Sequence, residues 1–167
     1  MGSSGTANGM SALSDRVTEF LVEMGLAPEG PEQGPFMFRF GSTVVMVCLF
    51  EHGGDVYVRI ASVLLKDFRP TLDLVTRILR LNTEVLLGAF LLFEDDTLSF
   101  SATLLGDDLS PTPFRKTVEY VARVSDEYDD ELQAIAGGSR AEDILRDAEE
   151  APTVDPTDPK GESPVMG

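Results

Sequence analysis

Between positions 43 and 50 the chain reads Thr-Val-Val-Met-Val-Cys-Leu-Phe, apolar at nearly every step. Alternation along a strand sends Val44, Met46, Cys48 and Phe50 to one side and Val45, Val47 and Leu49 to the other. Both sides then ask for cover. Burying Val45, Val47 and Leu49 is worth roughly 1.5–3 kcal/mol each, comparable together to the net stability of a domain, about 5–15 kcal/mol. One helix layer covers one face. The expectation is that the Val44/Met46/Cys48/Phe50 face serves the core and the Val45/Val47/Leu49 face serves a partner chain. The alternation alone permits the reverse, and the second face is also covered if the loop at 26–35 or the C-terminal tail folds across it.

The flanking pattern predicts the rest of the domain. Leu13, Val17, Phe20, Leu21 and Met24 recur at helical spacing, with Ser14 as a cap and Gly25 as a stop. A Pro/Gly/Glu loop over 26–35 follows. Three strand-like runs come next, at 36–40, 43–51 and 56–65, separated by Gly41-Ser42 and His52-Gly53-Gly54-Asp55. Such short glycine-bearing spacers suit antiparallel hairpins.

Pro70-Thr71 opens a second helix ending near 82–85. Strands over 86–93 and 98–105 flank the turn Glu94-Asp95-Asp96-Thr97. Ser110 and Pro111 start a third helix, with Phe114, Val118, Val121, Ser125, Tyr128, Leu132 and Ile135 on one stripe up to Gly137-Gly138. The predicted fold is α+β, an antiparallel five-stranded sheet with three helices in the order α-β-β-β-α-β-β-α. The domain is expected over 11–137. Residues 1–10 are expected to be a flexible lead or a remnant preceding a natural start at Met10, and 138–167 an acidic, Pro-rich, mostly disordered tail.

Charge narrows the function classes. Against 29 Asp and Glu stand 13 Lys and Arg, a net −16 over 167 residues. The tail carries −5 of this, so the domain surface itself is acidic. That disfavours sequence-independent nucleic-acid binding and docking on anionic membrane, and it favours solubility and cationic partners. A single cysteine forms no internal disulfide and fits a reducing compartment. With no apolar stretch near the ~18–20 residues that span a bilayer and no signal-peptide pattern at the start, a cytoplasmic location is expected.

The polar residues do not assemble into a known reaction centre. His52 is the one histidine, which leaves neither a two-His zinc site nor a base for a Ser-His-Asp system. Cys48 reads as a buried small hydrophobe, with no cation visible nearby. The clusters 94–96, 107–108 and 126–131 lack calcium-loop spacing and read as a hairpin turn, a helix N-terminus and a solvated helix face. No enzyme activity, cofactor or metal is expected.

The second helix carries a wide apolar arc, Leu72, Leu74, Val75, Ile78, Leu79, Leu81, Val85 and Leu86, opposite Asp73, Arg77, Arg80 and Glu84. Asn82 falls within that arc. It reads either as a helix end bonding nearby backbone or as a polar pin at an interface.

The segment Arg77-Ile-Leu-Arg-Leu-Asn-Thr-Glu-Val-Leu-Leu-Gly-Ala-Phe90, with the element order, resembles the YbjN-like family, which shares the fold of type III secretion chaperones. The resemblance runs over about 13–135. It implies an acidic homodimer without enzymatic activity that binds segments of other proteins, laying them over apolar grooves. Peptide contacts are expected at Phe20, Val45, Val47, Leu49 and Tyr57, and dimer contacts at Leu74, Ile78, Leu81 and Asn82. The alternative is a regulatory or adaptor module with one dedicated partner, docking through the acidic tail.

Overall fold

The computed structural model describes residues 3–26, 34–41, 43–137 and 139–140. The expected tail, from 141 on, and most of the loop at 26–35 lie outside them. Helix α1 spans Ser3–Glu23, strands β1, β2 and β3 span Phe36–Phe40, Thr43–His52 and Asp55–Lys66, and α2 spans Leu72–Glu84. Strands β4 (Ala89–Leu92) and β5 (Leu98–Leu105), helix α3 (Pro111–Ala136) and a two-residue strand β6 (Ser139–Arg140) complete the order.

The five main strands form one antiparallel sheet in the order β1-β2-β3-β5-β4. This is the α+β architecture expected. Short hairpins set the register: His52 pairs with Asp55 across Gly53-Gly54, both at positive φ, as a two-residue hairpin turn with right-handed strand twist requires. Strand β6 adds a short pair at the far end of β3, joining Leu65 to Arg140 and Lys66 to Ser139.

Two boundaries differ from the sequence pattern. Helix α1 starts at Ser3 and runs through the lead that the pattern set aside. Ser14 is inside it, its carbonyl accepting from Thr18 Oγ1 at 2.9 Å, so it is no cap. Met10 packs against the core and carries the helix backward past Gly9, tertiary contact outweighing glycine's low propensity. Strand β4 is shorter than 86–93, because Leu86 and Leu87 belong to the link. There the Leu86 N–H donates to the Tyr120 hydroxyl at 2.7 Å, and Gly88 turns the chain at φ 82°.

Helices α1 and α3 lie against β2 and β3, α3 also against β5, and α2 sits beside α3 at β4. Phe20 of α1 meets Phe114 of α3 with ring centroids 5.7 Å apart. Under these helices lie Phe38, Val45, Val47, Val58, Ile60, Phe90, Leu98 and Phe100, all buried. Thr71 caps α2, its side chain accepting from the Leu74 N–H at 3.3 Å. The α2 stripe Leu74, Ile78 and Leu81 is buried in the same core.

Candidate functional site

The strand that is apolar on both sides turns out to be used the opposite way from the expectation. Val45 and Val47 have no exposure and Leu49 packs at the core's margin. Val44, Met46, Cys48 and Phe50 lie half-buried on the far face of the sheet, against which no helix packs among the described residues. The cause is cross-strand register. Cys48 pairs with Arg59, and an arginine is not placed under a helix layer without a partner, so the Cys48 side is the open one.

That open face is a continuous surface assembled from five strands. Met37, Met46, Ala61, Ser101 and Ala89 form one row, with Ala61 and Ser101 buried; beyond it Arg39 pairs with Val44 on one side, and Val63, Ser99 and Leu91 align on the other. Toward the β2–β3 turn follow Cys48, Arg59 and Thr103, then Phe50, Tyr57 and Leu105. Phe50 and Tyr57 stack at 5.4 Å, and the Arg59 guanidinium lies 4.9 Å over the Phe50 ring. Arg59 Nε donates to Thr103 Oγ1 at 3.4 Å.

Of the side chains expected to touch a peptide, Tyr57 alone lies on this face. Phe20, Val45 and Val47 are core residues and Leu49 is at the core's edge. The expected dimer residues Leu74, Ile78 and Leu81 are likewise spent inside the molecule. What α2 leaves outside is Leu72 and Leu79, 82% and 63% exposed, with the link residues Leu86 and Leu87 beyond its end. These lie on the flank of the apolar arc that α3 and β4 do not reach.

Asn82 takes the backbone-bonding role. Its Nδ2 donates to the Phe90 carbonyl at 3.1 Å and its Oδ1 accepts from the Phe90 N–H at 2.7 Å. One side chain thus satisfies both outward backbone groups of a residue on the sheet's edge strand β4, as a neighbouring strand would. At the other edge, β1 pairs with β2 alone among the described residues. Pairing Phe40 with Thr43 across a two-residue turn leaves the N–H and C=O groups of Met37 and Arg39 pointing outward. The two edges are therefore unequal.

Cys48 is half-buried rather than a core residue, with a cation directly across the sheet. Burial pushes its thiol above the ordinary value, and Arg59 offsets part of that rise. The signal for Arg59 was in the sequence: the two-residue Gly53-Gly54 turn fixes the register that puts it opposite Cys48. Among the described residues no group of three His, Cys, Asp or Glu side chains is placed to hold a metal ion, and no helix is long and apolar enough to cross a membrane. The acidic stretch of α3 contributes structurally: Glu131 accepts from Arg77 Nε and Nη2 at 2.5 and 3.2 Å, tying α3 to α2. That hydrogen bond holds Glu131 below the ordinary carboxylate range.

Known proteins share this fold. The chain is similar to YbjN from E. coli, with a TM-score of 0.55 and 16% identity over 70% of this chain and 91% of that one. It is similar to a chain of the ExsC–ExsE complex, with a TM-score of 0.59 and 15% identity over 74% and 95% of the two chains. The Yersinia pestis type III secretion chaperone SycH, solved with a fragment of YscM2, gives a TM-score of 0.52 and 19% identity over 69% and 98%. No curated protein sequence matches. A family model described as T3SS (YopN, CesT) and YbjN peptide-binding chaperone 1 matches residues 11–144, so the chain belongs to that family of peptide-binding chaperones.

Proposed function

We propose that this protein is a non-enzymatic, cytoplasmic chaperone that holds an extended apolar segment of a partner protein, and does so as a homodimer. The observation that carries the reading is the apolar face beside the β1 edge, which pairs with β2 alone among the described residues. An incoming strand gains backbone hydrogen bonds at β1, while its alternate side chains reach the Met37, Met46 and Val44 surface. The family's description as peptide-binding chaperones, and the complexes formed by ExsC with ExsE and by SycH with a YscM2 fragment, support this reading.

For the dimer we assign the outer strip of α2. Leu72, Val75, Thr76, Leu79 and Thr83 recur along one side with no charge among them, while Asp73, Arg77, Arg80 and Glu84 lie off the strip. A second copy fits such a strip because a two-fold axis brings the same uncharged patch to itself. Exposed leucines on a −16 chain favour a like surface over a charged one.

The experiment pairs sedimentation with fluorescence anisotropy on the purified full chain, using a fluorescein-labelled peptide of alternating valine and threonine. Wild type is expected to sediment as a dimer and to bind. Leu79→Glu is expected to sediment as a monomer, and Met46→Glu to weaken binding at least about tenfold by placing a charge under the peptide. A monomeric wild type that binds no such peptide sinks the proposal.

A further inference from the structure

The open face has a charge opposite to that of the molecule. The chain holds 29 acids against 13 bases. Alternation and register nevertheless bring Arg39, Arg59 and, past the bulge in β3, Lys66 to the open side, with Asp55 at the hairpin end as the one acid among the strand residues of that side. Arg77 pairs with Glu84 and Glu131, and Arg123 with Glu127, whereas Arg59 makes no ion pair among the described residues.

Arg59 is held in place without being neutralised. One plane of its guanidinium rests on Phe50, which is itself stacked on Tyr57, and its Nε is engaged by Thr103. The terminal N–H fork remains for another acceptor. Cys48, directly opposite, supplies no counter-charge at neutral pH, because burial favours the protonated thiol. A wholly apolar peptide laid over this point would cover an unpaired cation, which is costly. A carboxylate there would instead make a charge-assisted, two-pronged hydrogen bond against an apolar background.

Resting on the reading of the open face as the peptide-binding surface, we propose that Arg59 selects the partner: the protein takes apolar segments that continue from the β1 edge across the face to β3 and carry there an aspartate or glutamate that pairs with the Arg59 fork. Specificity then comes from penalising carboxylate-free segments as much as from attracting acidic ones.

The test uses the full chain and three labelled peptides, Thr-Val-Thr-X-Thr-Val-Thr with capped ends, in which X shares its face with the valines and is aspartate, asparagine or lysine. Anisotropy is expected to give the aspartate peptide about a tenfold advantage over the asparagine peptide, and the lysine peptide the weakest binding. Arg59→Gln is expected to bring the aspartate-to-asparagine ratio to about one, and Arg59→Lys, which keeps the charge and loses the fork, to leave an intermediate ratio. Thermal melts of both variants at the wild-type temperature exclude loss of fold. Equal binding of the aspartate and asparagine peptides by wild type overturns selection by Arg59 while leaving peptide binding intact. Failure of all three peptides to bind overturns both. An Arg59→Gln variant that changes sedimentation state but not peptide preference would make this face a contact between copies, and overturns the proposal too.

Discussion

Gly88 occupies the tightest backbone position described. Its φ is 82°, and a Cβ there would stand 2.2 Å from the Ser101 carbonyl oxygen and 2.9 Å from its carbon. Both the left-handed conformation and the approach to β5 exclude a side chain. Gly88→Ala is expected to cost more than about 2 kcal/mol, read from the midpoint of urea unfolding. Ser125 predicts the opposite sign. Its Oγ is buried in α3 with no hydrogen-bond partner among the described residues. Ser125→Ala removes an unsatisfied group and adds a better helix former, so a gain of about 1 kcal/mol is expected in the same measurement. The sequence pattern hid both residues: it runs a strand through Gly88 from 86 to 93, and Ser125 merely continues the stripe of α3. Only packing from the neighbouring layer decides whether a helical serine finds an acceptor.

At the scale of elements, the order and the strand limits at 36–40 and 98–105 were legible because period and punctuation agree there. Parity was harder. The strand at 43–50 offers apolar residues to both sides, and its own sequence does not choose between them. The choice comes from Arg59 on the next strand, through a turn whose two glycines fix the pairing. For α2, the pattern predicts a wide apolar arc without saying which part of it faces inward. Leu74, Ile78 and Leu81 face α3 and β4, and the flank with Leu72 and Leu79 is what remains exposed. Distance along the chain explains the Asn82 bond as well, since it spans eight residues across a link whose path depends on Gly88. Asn82→Ala is expected to lose about 1–3 kcal/mol through the two orphaned backbone groups of Phe90. It should also raise light scattering on prolonged incubation, whereas Asn82→Asp, which keeps the acceptor, should show less of both.

At the scale of the whole molecule, a strongly negative surface surrounds a face that carries arginines. Long-range repulsion slows the approach of like-charged copies, and short-range recognition operates on uncharged strips and on a patch of the other sign. The unequal edges of the sheet set how far any assembly can grow. A sheet open on both sides has a valence of two: each added strand presents a new edge, and copies can join into a fibre. Asn82 occupies the outward groups of β4 at Phe90, whereas β1 pairs with β2 alone among the described residues, so β1 is the readier edge. Edge-to-edge growth is thereby handicapped on one side of the sheet, and a single side chain on α2 supplies the handicap at Phe90.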